Sequence, residues 1–163
     1  MPLRHDPVAM ILSRQALPTL DRSTYAPANG VAKGAYVLAG DPDETPDVIL
    51  IATGSEVALA VSSYELLVSE GIKARVVSMP SWDLFERQDK AYKDSVLPPT
   101  VSARVAVEEA SVFGWERYVG MNGRIIGMRT FGASAPAKDL QKKFGFTTDA
   151  VMAAAREALS GSR

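Results

Sequence analysis

Apolar and polar positions recur along this chain at two periods, and the switches between them mark out the elements. "DVILIATGS" at 47–55 is an unbroken apolar run, the pattern of a parallel-sheet strand covered on both faces. Behind it Val57, Ala60, Val61, Tyr64, Leu67 and Val68 recur at three- and four-residue steps, predicting a helix with one apolar stripe. Thr53 and Glu56 have capping-box spacing at its start, with Ser55 as the alternative N-cap. Gly71, followed by the apolar Ile72, suits its C-terminal end. "KARVVSMPS" at 73–81 returns to strand, so residues 47–81 read as a right-handed βαβ unit.

The alternation continues. "WDLFERQDKAYKDSV" at 82–96 predicts one helix, stopped by Pro98-Pro99, and "SARVAVEEA" at 102–110 a strand. "FGWERYVG" at 113–120 reads as a short helix or turn and "GRIIGM" at 123–128 as a strand. "ASAPAKDLQKKFG" at 133–145 has Ser134 as N-cap, Pro136 near the first helical position and Gly145 at its end. "TTDAVMAAAREAL" at 147–159 is a last helix, capped by Thr147 or Thr148. Upstream, "VAMILS" at 8–13 reads as a short buried strand, then a Pro- and Gly-rich connection leads to a strand "AYVLAG" at 35–40. The sum is an α/β protein: an open, mostly parallel sheet with helices on both faces.

Composition removes several function classes. A 163-residue chain with 47% hydrophobic and 23% charged residues suits one globular domain. A net charge of −1 offers no footprint for nucleic acid or an anionic membrane, and no apolar run is long enough to span one. The chain has no cysteine, which excludes a disulfide framework and a thiol nucleophile, and agrees with a cytoplasmic location. With His5 as its single histidine, a Ser-His-Asp triad or a two-histidine metal site is not expected.

Few residues then remain as candidates. In "ATGSEV" at 52–57 a strand enters a helix through Gly-Ser, where free N–H groups can hold a phosphate; Thr53, Ser55 and Glu56 equally explain themselves as caps. Glu108 and Glu109 end a strand, where an α/β site would place acids, but adjacent strand residues point to opposite faces. Trp82, Phe85, Trp115 and Tyr118 read as core or interface packing, Lys142-Lys143 as a solvated helix end and His5 as exposed. Arg14 is different. It follows a strand directly and suits bidentate phosphate binding, yet only nine residues precede "MILSRQALPTL", too few to build that strand's sheet.

"ILSRQ" followed by "LP", then "LIATGSEVALA", "ARVVSMPSWDLFE", "VAVEEASVFGWERYVG" and "FGASAPAKDLQKKFGFT", resemble in order the C-terminal end of transketolase, from about Pro7 to Leu159. The resemblance implies a three-layer α/β/α fold with a five-stranded, mostly parallel sheet. Its one antiparallel strand is assigned provisionally to "AYVLAG". It implies that residues 1–32 are the end of a preceding pyrimidine-binding domain plus linker, and 33–163 the third, C-terminal domain. Arg14 matches the family arginine that binds the phosphate of the sugar substrate.

Full-length transketolase, an enzyme of the pentose phosphate pathway, moves a two-carbon ketol unit between ketose and aldose phosphates using thiamine diphosphate and Mg²⁺ (or Ca²⁺). The family's diphosphate and metal motif and its cofactor-activating glutamate have no match in this sequence. No catalytic, cofactor-binding or metal-binding residue is therefore expected here. The expected role is structural: packing against the remaining transketolase domains and supporting a homodimer, without turnover by the piece alone. The alternatives are a stand-alone anion-binding regulatory module using the Thr53–Glu56 turn, and one subunit of a split enzyme.

Overall fold

The computed structural model describes residues 5–161. The outermost residues of the two expected segments, 1–4 and 162–163, lie outside it. Five strands form one sheet among the described residues: β1 (Tyr36–Ala39), β2 (Val48–Ala52), β3 (Ala74–Ser78), β4 (Arg104–Ser111) and β5 (Arg124–Met128). Their spatial order is β1-β3-β2-β4-β5. β3, β2, β4 and β5 run parallel, and β1 pairs antiparallel with β3, Tyr36 opposite Ser78 and Val37 opposite Val77. The fold class expected from the sequence holds, including the odd strand.

The helices are α1 (Glu56–Ser69), α2 (Trp82–Glu86), α3 (Lys90–Val96), α4 (Glu116–Val119), α5 (Ala137–Phe144) and α6 (Thr148–Gly161). β2 shows why three layers form. Its five residues are all buried, Val48, Leu50 and Ala52 on one face and Ile49 and Ile51 on the other. The first set packs with Ala60, Val61 and Leu67 of α1 and Val151, Met152 and Ala155 of α6. The second meets Phe85 of α2, Val96 of α3 and Tyr118 of α4. Trp115 and Tyr118 are 2% and 3% exposed, and Trp82 stands edge-on to Trp115 with ring centroids 5.0 Å apart. These aromatics are core, as expected.

Four local readings need correction. The helix expected over 82–96 is two, because the Asp89 side chain accepts from the Tyr92 N–H (2.8 Å) and starts α3 afresh. Ser134 does not cap α5. Ala135 precedes a proline and is pushed out of the helical region, so the helix starts at Ala137 behind an extended Pro136. The capping box at α1 is not made either: Ser55 is itself helical (φ −65°, ψ −32°) and makes no side-chain cap bond. Lastly, residues 8–13 form no strand; they run exposed, outside the sheet.

Other signals hold. α1 ends in a Schellman motif, with the Ile72 N–H bonded to the Leu67 carbonyl (3.0 Å), the Gly71 N–H to that of Val68 (2.9 Å), and Gly71 at φ +80°. Thr147 caps α6 through the Ala150 N–H (3.3 Å). A 3-10 turn at Ala28–Lys33, not foreseen in the connection, leads into Gly34. There φ is +86°, and a Cβ would come within 2.2 Å of the Phe85 backbone nitrogen, so only glycine fits.

Candidate functional site: the carboxyl edge of the sheet

The chain turns from β2 to β3 on one side and then crosses to β4 on the other. The loops leaving β2 and β4 therefore diverge to opposite faces, α1 on one and α4 on the other. Between such strands, beyond their carboxyl ends, α/β sheets form their ligand crevices. Glu56 and the Glu108-Glu109 pair occupy that position.

Glu56 opens α1 and is only 5% exposed. The Ser55 hydroxyl donates to its carboxylate. Burial pushes the Glu56 carboxyl up from its usual range, the Ser55 bond opposes this, and the charge of Glu109 adds to the rise. Glu108 is pushed up to about 7, first by burial and then by the charge of Glu56, against the pull of the Ala110 N–H, which donates to its Oε1 at 3.1 Å. Glu109 points to the other side of β4, where Gln141 of α5 donates to it at 2.9 Å. None of the ion pairs among the described residues brings a lysine or arginine to any of the three.

Beside these acids lies a cleft of about 530 Å³ between α1, α5 and the loop after β5. Glu56 and Glu109 line it, with Ala58 and Leu59 on one wall and Leu140 and Phe144 on the other. Glu108 does not line it, so the paired acids do not converge, as the alternation along a strand requires. Gln15 and Leu17 of the N-terminal segment also reach its wall. Arg14, one residue earlier, is exposed and makes no hydrogen bond or ion pair with any described residue.

Glu56 was legible only as a cap. Its burial follows from lying at the turn between β2 and β4, which is a property of strand order and not of local spacing. The role of Gln141 in holding Glu109 likewise comes from the packing of α5. At the Thr53–Glu56 turn an incoming phosphate would meet carboxylates, which weighs against anion binding there. The residues of this edge do not fit the diphosphate of thiamine diphosphate for the same reason. No group of three or more His, Cys, Asp or Glu among the described residues could hold a metal ion.

Residues 34–147 match the family model of the transketolase-like C-terminal domain. The chain belongs to the transketolase family. It is 57% identical over 153 residues to transketolase 1 of Escherichia coli, covering 94% of this chain and 23% of that protein. The transketolase of Geobacillus stearothermophilus is 49% identical over 146 residues, covering 90% of this chain and 22% of its own length. Among solved structures, Pichia stipitis transketolase in complex with sedoheptulose-7-phosphate superposes with a TM-score of 0.79 at 39% identity, over 90% of this chain and 20% of that one. A split-gene transketolase, described as an inactive β4 tetramer, superposes at 0.65 and 25% identity, over 92% of this chain and 49% of that one. The chain thus spans under a quarter of the full-length curated relatives and carries their C-terminal domain.

Proposed function

We propose that this chain serves as the C-terminal domain of a cytoplasmic transketolase whose whole form transfers a two-carbon ketol unit between ketose and aldose phosphates. The observation carrying this reading is the lopsided coverage: 94% of the chain is matched by 23% of a transketolase. Residues 1–32 close the preceding pyrimidine-binding domain and its linker, and 33–163 form the C-terminal domain. Thiamine diphosphate, with Mg²⁺ or Ca²⁺, supplies the electron sink for the chemistry when bound elsewhere in the whole enzyme. This domain packs on the remaining domains and supports the homodimer.

Arg14 holds the sugar phosphate in the whole enzyme. Its exposure here, without a partner among the described residues, suits a guanidinium whose ligand comes from outside the chain. In the full-length enzyme Arg14→Leu is expected to raise KM for a ketose phosphate by about ten- to a hundredfold, the size of a lost charge-assisted pair. KM for a non-phosphorylated acceptor should stay unchanged. An equal loss on both substrates would remove the phosphate role.

The chain alone does not turn over in this reading. The carboxylate-lined edge supports it, and so does the description of the split-gene relative as an inactive β4 tetramer. Calorimetric titration of thiamine diphosphate with Mg²⁺ into this chain should give no saturable heat. Tight binding would relocate the cofactor site into this domain and overturn the assignment.

A further inference from the structure

A second cavity, of about 470 Å³, adjoins the acidic cleft across the start of α1, with Ser55 and Ala58 lining both. That volume is in the range of sites that hold a small organic molecule. Among the described residues Arg22 is its one charged lining residue, and no carboxylate lines it. Leu20, Val31, Leu38 and Val57 make much of the lining apolar. Ser78, the last residue of β3, also lines it. Side chains alternate along a strand, so Ser78 shares the face of Val76, the α1 side of the sheet. Ser78 is only 8% exposed, yet its hydroxyl has no hydrogen-bond partner among the described residues. Buried hydroxyls are ordinarily bonded, so an open one at a cavity wall calls for an acceptor from outside.

The other donors converge on the same space. α1 is 14 residues long and lacks a side-chain cap, and the N–H groups of Ser55 and Val57 have no partner among the described residues. A Cβ on Gly54, which lines the cavity, would meet nothing within 4 Å, so the approach to them is open. Arg22 is held by this domain: its Nη1 donates to Ala26 O at 2.7 Å, and the Ala26 N–H donates to Leu38 O of β1 at 2.9 Å. The remaining guanidinium N–H groups are without a partner among the described residues.

We infer that this cavity binds a small organic carboxylate. The Ser78 hydroxyl, the first N–H groups of α1 and Arg22 donate to its carboxylate, and its apolar body lies along Leu20, Val31 and Leu38. The carboxylates that bar a phosphate from the Glu56 side of the turn do not line this side. Buried Glu56 still lies just beyond the turn, so a single negative charge is favoured over the two of a phosphate monoester. The site goes beyond the role proposed for Arg14 and does not depend on it.

Titration of phenylacetate into this chain, followed by two-dimensional amide NMR, tests it. Saturable shifts are expected at Gly54, Ser55, Val57 and Ser78, with a Kd in the low millimolar range or tighter for a probe of about ten non-hydrogen atoms. Phenylacetamide, which lacks the charge, should not saturate. Arg22→Met should raise the Kd about tenfold, and Ser78→Ala about five- to tenfold, with the remaining amide spectrum unchanged. No saturation would mean that water serves Ser78 and overturns the inference. So would shifts centred on Leu140 and Phe144 of the acidic cleft, equal binding of the amide, or a Kd that both variants leave unchanged. Tighter binding of phenyl phosphate overturns the choice of a carboxylate.

Discussion

Arg75→Met should lower the unfolding free energy by about 3–5 kcal/mol, because it leaves several carbonyls without a donor at roughly 1–3 kcal/mol for each one that water does not reach. Arg75 lies on β3, is 2% exposed and meets no carboxylate directly. Its guanidinium donates instead to backbone carbonyls from two loops. Nη1 reaches Ser95 O at 2.9 Å and, more weakly, Val96 O at 3.4 Å, at the end of α3. Nη2 reaches Glu44 O at 3.0 Å, Asp41 O at 3.2 Å and Pro42 O at 3.4 Å, in the turn between β1 and β2. Burial pushes the Arg75 guanidinium down from its usual value and the charge of Asp41 partly offsets this, but guanidinium stays charged near neutral pH. Methionine fills much of the volume and leaves those carbonyls without a donor, so the polar turn and the helix end both loosen. Arg75→Lys should recover only part of the loss, since an ammonium cannot span both sets of carbonyls. Urea unfolding checks this through a lower midpoint at unchanged slope. Arg156→Met, which removes an exposed ion pair to Glu70, is the control that should move the midpoint little. A wild-type midpoint in Arg75→Met would mean that water takes over those carbonyls freely.

That staple was invisible in the sequence. "KARVVSMPS" announces a strand through Val76 and Val77, and an arginine within it reads as a solvent-facing residue. Only the return of two loops to the amino end of β3 buries it. β2 is legible from its apolar run, α1 from its stripe, and the end of α1 from Gly71 and Ile72. These features depend on a residue and its near neighbours. Local patterns mislead where one rule competes with another. At Asp89 an N-cap interrupts a stretch that otherwise reads as one helix, and at Ser134 a good capping residue is overruled by Pro136, which keeps the helix from beginning there. The antiparallel β1 came from the family resemblance and not from any pattern in "AYVLAG".

The candidate site was legible to a similar depth. That Glu108 and Glu109 lie toward the carboxyl end of a strand is legible from "RVAVEE", and their divergence follows from the strand's period of two. The burial of Glu56 beside them required the strand order, because residues of β2's loop and β4's end meet only when those strands are neighbours.

The consequence of that meeting is a stability that falls as pH rises. Glu108 has a folded pKa of about 7 against an ordinary value of 4.5. Between these values the native state holds a proton that the unfolded chain releases, so the native state binds more protons and unfolding free energy decreases with pH. The favourable contribution is complete below the unfolded pKa and is lost as pH rises through about 7, when the ionised carboxylate sits half-buried in the field of the Glu56 and, more weakly, the Glu109 charge. A separation of this size corresponds to about 3 kcal/mol in all. Glu86 has the opposite sign: the Tyr118, Lys93 and Arg117 groups around it outweigh burial and lower its pKa, so its share is lost as pH falls. The absolute curve therefore mixes these carboxyls with Glu56, also raised, and Asp21, lowered, and the difference between variants isolates Glu108. Glu108→Gln keeps an acceptor for the Ala110 N–H and cannot ionise. It should be more stable than wild type by about 3 kcal/mol near pH 8, with the gap closing to under about 1 kcal/mol near pH 5. Urea midpoints of the two proteins at these pH values measure it, and a pH-independent gap would mean that Glu108 is ionised throughout. Glu56→Gln should reduce the effect without abolishing it, because burial is the larger cause of the Glu108 shift and the charge of Glu56 the second.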